Sequence, residues 1–440
     1  MCYRALAVLV CVSAFAGNGV PFQKEIPKDE RIKQALNRFT FGPRPGDAEH
    51  VQSMGLKKWI DWQLHPSRIA ENPVLEAKLN GLGSLSMSSR EIAQNYPAGR
   101  MAARELAAAK LLRAIYSNRQ LEEVLTDFWF NHFNVYLEKG ADRYLVTAYE
   151  RDAIRPHVLG QFRDLLEATA KSPAMLFYLD NWQSVGDAME RGRPARRGLN
   201  ENYGRELLEL HTLGVDGGYT QKDVTEVARC FTGWTIRQPR LGGEFVFNGR
   251  AHDRGEKRVL GVKILAGGGI EDGEKVLDLV ARQPATAHFI SRKLAMRFVA
   301  DDPPAVLVGR MAQTFLKSDG DLRAVLKTMI DSKEFWSVGA YRTKMKSPLE
   351  FVASAVRSMN GDVDEALALN NQVAQMGEPL FRKQEPTGYS NSGTEWMNSA
   401  GLVARMNFAL SLANNHVPGV KVATDAGAGI TLGAPEFQRH

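Results

Sequence analysis

Cysteine is nearly missing from this 440-residue chain: there are three, and Cys2 and Cys11 fall within the first eleven residues. That stretch reads as a signal peptide, residues 1–16. Arg4 gives a short basic start, Ala5 to Val12 an apolar run, and Ala14-Phe15-Ala16 a small-x-small cleavage site. The run is too short to span a bilayer as a helix, so no transmembrane segment is expected in the mature chain. Removal of the signal would leave Cys230 alone and forbid an internal disulfide in a compartment that permits one. Cys230 lies among Val227, Ala228 and Phe231 and is expected to be an inert core thiol.

Excess charge of one sign is also scarce. The formal charge is +6, from 56 basic and 50 acidic residues, and the basic residues are scattered. No broad basic face interleaved with aromatics appears, which argues against nucleic acid as a partner. The one tight cluster is Arg191, Arg193, Arg196 and Arg197, either a solvated loop or an anchor for anionic groups. Several signatures are missing: a glycine-rich phosphate loop, a Gly-x-Ser-x-Gly elbow and a dinucleotide fingerprint. NTPases, lipases of the usual kind and nicotinamide enzymes are therefore disfavoured. No Glu-x-x-His or His-x-x-x-His pair is present, which argues against a zincin or a di-iron bundle site.

What is present is helical periodicity. Met101 to Tyr136 offers Leu106, Leu111, Leu112, Ile115, Leu121, Val124 and Leu125 as core positions. Leu199 to Leu213 reads as a helix ending at Gly214, with Tyr203, Leu207 and Leu210 as its buried stripe. Thr220-Gln-Lys-Asp223 is a capping box opening the next helix. Glu244–Phe247 and Lys257–Leu265 read as two strands of one hairpin inserted at 240–266. The expected fold is mainly α, a large multi-helix globular body with a small β-hairpin insertion. Residues 17–422 form a single large helical domain with a sub-boundary near 81–100, and 423–440 a flexible tail of small residues.

Chemistry can sit in four places. In Glu123 to Tyr136, Asp127, Asn131 and Asn134 share a narrow polar stripe on a helix otherwise rich in Phe and Trp. Such a stripe needs partners, since an unpaired buried polar group costs about 1–3 kcal/mol. It is therefore either an interhelical hydrogen-bond network or one wall of a site. On the second helix Glu206 and Glu209 are neighbours, with Asn202 on the same flank. His252 and Asp253 occupy the loop between the strands, suited to orienting each other for proton transfer or to being a polar hairpin tip. Finally, Tyr389 and Trp396 join Trp234 as aromatic faces for sugar or peptide recognition.

The motifs Asn37-Arg-Phe-Thr-Phe-Gly-Pro43, Asp127-Phe-Trp-Phe-Asn-His132, Asn200 through Gly214, and Tyr219-Thr-Gln-Lys-Asp223 carry a resemblance. With Phe231-Thr-Gly-Trp234, His252-Asp253 and Pro386-Thr-Gly-Tyr389, they resemble the bacterial family named domain of unknown function 1800, from about residue 30 to 415. The resemblance implies a bacterial, often exported protein, and brings no established activity and no catalytic residues.

The residues themselves point to an exported, periplasmic or secreted, hydrolase-like enzyme acting on an extracytoplasmic polymer or conjugate. Asp127, Glu206, Glu209, His252 and Asp253 are its acid–base candidates; Asn131, Asn134, Asn202, Trp234, Tyr389 and Trp396 are its substrate contacts. Two alternatives stay open. One is a non-enzymatic binding or assembly factor of the envelope. The other is a metal-dependent enzyme drawing on His132, Glu206, His211, His252 and Asp253. Neither cofactor nor metal follows from the sequence.

Overall fold

The computed structural model describes residues 21–186, 198–424 and 426–440. The signal segment and the arginine cluster lie outside the described residues. Twenty α-helices and three two-stranded antiparallel sheets make up the described chain. The fold is mainly α with small hairpins. One continuous apolar cluster runs from Ala35 to Leu432 and joins almost every helix. No helix among the described residues is long and apolar enough to cross a membrane.

Local signals place the helices that matter for a site. Leu106, Leu111, Leu112 and Ile115 are buried along Arg100–Tyr116, and Leu121, Val124, Leu125 and Phe128 along Gln120–His132. These spacings follow the α-helical period, so each helix presents an apolar face to the other. Pro284–Phe298 and Pro348–Ser358 each begin with proline, whose fixed φ suits the first turn and whose missing N–H costs nothing there. Ser347 and Glu350 form a capping box at the second of these, as Thr220 and Asp223 do before Gln221–Cys230.

The structure differs from the sequence reading in three places. First, the expected single hairpin is two. Phe245–Phe247 pairs backwards with Trp234–Ile236, while Lys257–Val259 pairs forwards with Val262–Ile264. Leu260 and Gly261 adopt φ of 46° and 81°, the two left-handed residues of a tight hairpin turn, so a segment read as one strand folds on itself. Leu is an unusual residue for that position, which hid the turn.

Second, the 199–213 helix is α only over Asn202–Glu206 and then widens into a π-helix over Leu207–Thr212. The wider turn rotates the face: Leu208 and His211 are buried and Leu210 is only half-buried. The Thr212 hydroxyl donates to the Leu207 carbonyl, 2.6 Å, five residues back.

Third, residues 426–440, read as most of a flexible tail, are folded onto the body. Ala426–Gly433 is a helix packed on Ser399–Ala413, and Leu432, Gln438 and His440 are buried. A Cβ on Gly429 would stand 3.2–3.3 Å from Leu410 and Ala413. Small residues, read as a sign of disorder, instead let two helices approach closely.

Candidate functional site

The polar stripe of Gln120–His132 faces a pocket. Asp127 and Asn131 line it from the helix, which ends at His132 and not at Tyr136 as the sequence suggests, and Asn134 lines it from just past that end; with Tyr389 and Trp396, five of the eleven sequence candidates converge. The pocket holds only about 60 Å³, well under the several hundred that a whole small-molecule ligand needs. It admits an ion, a few waters or the end group of something larger.

Asn131 and Asn134 are already occupied. The Asn131 amide donates to the Tyr389 carbonyl and accepts from the Tyr389 N–H, both at 2.5 Å. The Asn134 amide donates to the carbonyls of Lys383 and Glu385, each at 2.9 Å. The two amides thus clamp the 383–389 segment to the helix and set the wall carrying Tyr389 and Trp396, whose ring centres are 6.0 Å apart. Gly388 fits under this clamp: its φ is +69°, and a Cβ would stand 2.1 Å from the Asn131 carbonyl oxygen. Gly388→Ala combines that backbone clash with a left-handed conformation costly for any L side chain. We expect a loss of about 2 kcal/mol or more and altered Trp fluorescence near Tyr389. Unchanged denaturant midpoint and emission would refute the clamp.

The groups with chemical potential are residues that the sequence reading did not single out. Lys110, on Arg100–Tyr116, reaches Asp127 at 2.6 Å and lies over the rings of Phe130 and Phe381. Burial alone would lower the lysine's pKa, but the charges of Asp127 and Glu150 hold it above its ordinary value. Glu378 shares the pocket and is buried. Its carboxyl accepts from the Leu349 N–H at 2.8 Å, at the start of Pro348–Ser358. Burial, with the Asp127 charge beside it, pushes Glu378 up to about 8. Glu350 goes the other way: against burial, Arg297 at 2.5 Å and His440 hold it down at about 2. Lys344, paired with Asp301, completes the charged wall. Lys110 could have been noticed as the one charge inside Ala107 to Ile115 apart from Arg113.

The other candidates lie elsewhere. Glu206 and Glu209 sit at the start of the π-helix, where burial and then Glu209 raise Glu206. The Tyr219 hydroxyl is 3.5 Å from Glu209. Asn202 donates to the Leu179 carbonyl. Trp234 is fully buried among Phe231 and Phe245 beneath the first hairpin. His252 is buried against Asp272 and Thr232, and Asp253 is paired with Arg229 at 2.8 Å. None of these lines the Asp127 pocket.

His132 and His211 do meet. The His132 Nε2–H donates to the His211 carbonyl at 3.1 Å, leaving Nδ1 to accept from Lys293 at 2.9 Å. Burial and the lysine charge keep both rings neutral, His211 down at about 3. Among the described residues, no group of three or more His, Cys, Asp or Glu is placed to hold a metal ion.

The family described as "Protein of unknown function (DUF1800)" matches residues 34–438. The chain belongs to the DUF1800 family. No curated protein and no solved structure matches it. Both walls of the Asp127 pocket, from Lys110 to Trp396, fall inside the matched DUF1800 region. So do the Glu206 pair and the His252 hairpin.

Proposed function

We propose that this DUF1800 protein is an exported, hydrolase-like enzyme whose acid–base pair is Asp127 and Glu378. The observation that carries the reading is the contrast between two carboxyl groups in one pocket. Asp127 has a lysine partner at 2.6 Å; Glu378 is buried, has no cationic partner within salt-bridge reach among the described residues, and is pushed up to about 8. A buried carboxyl whose pKa is raised, standing beside a lysine-paired one, is an arrangement suited to general acid–base work. The size of the pocket, about 60 Å³, favours attack at an end group of an extracytoplasmic polymer or conjugate over an internal bond in a long cleft. The basic start and apolar run of residues 4–12 support export.

A panel of chromogenic glycosides, carboxylic esters, phosphate esters and sulfate esters tests the reading. Turnover of at least one class by the wild type, lost in Asp127→Asn with the fold retained by circular dichroism, is expected. Equal turnover by Asp127→Asn, or none by the wild type, would sink it. The engagement of Asn131 and Asn134 in clamping favours a second reading, an envelope binding factor using the same pocket. That reading expects binding without turnover.

A further inference from the structure

A second pocket shares no lining residue with the Asp127 site and holds about 280 Å³, close to the lower end for small-molecule sites, about 300 Å³. One wall comes from the turn Phe41-Gly-Pro-Arg-Pro-Gly46, which the acid–base reading leaves without a role. The turn joins the helix Glu30–Phe39 to Asp47–Met54. Gly42 presses it onto Pro348–Ser358: its φ is +98°, and a Cβ there would stand 2.6 Å from the Ser354 Cβ. The Gly42 carbonyl accepts from Arg357 Nε, while the Thr40 hydroxyl and the Gln120 side chain accept from the Gly42 and Phe41 N–H groups.

Arg44, from this turn, and Arg357 meet on the pocket wall. Both donate to the Ile115 carbonyl, in the last turn of Arg100–Tyr116, so one oxygen holds two guanidinium groups side by side. Asp47 is the one carboxylate lining the pocket among the described residues. Its Oδ2 takes Arg357 Nη2 at 3.3 Å and the Arg44 backbone N–H at 2.7 Å. The Arg44 guanidinium itself has no carboxylate within salt-bridge reach among the described residues, and its Nε and Nη1 make no hydrogen bond there. Glu71, which does not line the pocket, accepts from the Ser117 hydroxyl and the Asn118 N–H. Two guanidinium groups thus stand against one carboxylate. Burial, and then the charge of Arg44, hold Arg357 down at about 9.

The rest of the wall is aromatic and amide. Trp59 is buried and Trp62 half-buried, with the His50 ring 6.4 Å from Trp62. Gln63 and Gln120 use their amides inside the fold. Gln63 bonds the Asn118 carbonyl and the Leu121 N–H, and Gln120 the Ala114 and Ser117 carbonyls. The donors left over belong to Arg44, in a cavity with indole beside it.

We propose that this pocket binds a ring-sized organic anion, a carboxylated sugar or aromatic ring whose oxyanion takes the free edge of Arg44 while its face lies on Trp62. A guanidinium fork matches carboxylate geometry, and an indole offers a large apolar surface with a polar tip. The proposal concerns binding alone, goes beyond the acid–base reading and does not depend on it.

Tryptophan fluorescence and calorimetry of the full-length protein, titrated with glucuronate and with benzoate, test it. Glucose, benzyl alcohol and inorganic phosphate are the controls. At least one acid should bind saturably with a Kd of about 1 mM or tighter, and each control about tenfold more weakly or not at all. Arg44→Gln should weaken binding about tenfold or more, the loss of a charge-assisted hydrogen bond, and Trp62→Leu about three- to tenfold, both at wild-type urea midpoints. If Arg44→Gln lowers that midpoint, Arg44→Lys takes its place, keeping the charge and losing the fork, and should also weaken binding. Asp127→Asn should bind as the wild type does.

Binding of glucuronate alone marks the sugar source and of benzoate alone the aromatic one; either upholds the site. No saturable binding of either acid overturns it. Phosphate bound as tightly as the acids leaves a bare anion site and removes the ring, and neutral controls bound as tightly remove the charge. Folded Arg44 and Trp62 variants that bind like the wild type place the ligand elsewhere and overturn the assignment.

Discussion

Glu378→Gln is expected to remove most of the pH dependence that this group gives to stability, and to cut turnover by about 10²- to 10⁴-fold, the usual contribution of a positioned proton donor. The folded protein holds the Glu378 proton more tightly than the unfolded chain, since burial and Asp127 raise it from 4.5 to about 8. Its stabilising contribution is complete below the lower value and is lost as pH rises through the upper one. Each unit between folded and unfolded values is worth about 1.4 kcal/mol, so the wild type should lose a few kcal/mol from this group across that window. Glutamine keeps an oxygen for the Leu349 N–H and cannot ionise, so its curve should be flatter.

Lys346, held down to about 7 by burial, titrates nearby with the opposite sign: its contribution is present at high pH and lost as pH falls. The difference between wild-type and variant curves, measured by urea unfolding from pH 5 to 9, therefore isolates Glu378. Wild-type turnover should also decline above about pH 8 as the donor loses its proton. Parallel stability curves, or a variant with wild-type turnover, would remove Glu378 from the acid role.

How much of this was legible beforehand depends on which physical signal each feature left. The Asp127–Asn131 stripe was legible because helical period and flanking aromatics are local facts, whereas Asn134 reaches the same wall from beyond the helix end at His132. What the stripe faces was not, since Glu378 and Lys110 come from segments more than 200 residues apart. The capping box at Thr220 was legible for the same local reason. The turn at Leu260-Gly261 was not, because leucine at positive φ breaks the residue preference on which turn reading depends. The π-helix at Leu207–Thr212 left no compositional mark, yet it decides that His211 points into the core beside His132. Small residues near the C-terminus misled in the other direction: Gly429 marks close packing against Leu410 and Ala413.

The hairpin candidates are best judged by a stability experiment, and Lys257→Met is expected to cost about 3–5 kcal/mol, the loss that follows when a buried ion pair is broken from one side. Lys257 and Asp272 have side chains that are both 0% exposed, with Nζ and Oδ2 2.9 Å apart. His252 approaches the same oxygen at 3.3 Å. The lysine also donates to the carbonyls of Asp253 and Gly255, so one ammonium group ties the His252 loop to the Glu271–Ala281 helix. Removing it leaves the Asp272 carboxylate buried with the imidazole and, at 3.8 Å, the exposed Lys275 beside it. Lys257→Met combined with Asp272→Asn should recover much of the loss, because no charge is then stranded. If His252 and Asp253 serve to fix the two hairpins, the folded double variant turns over pocket substrates normally. A variant that keeps its urea midpoint but loses turnover would reverse the assignment, and make this loop part of the active machinery despite its distance from the Asp127 pocket.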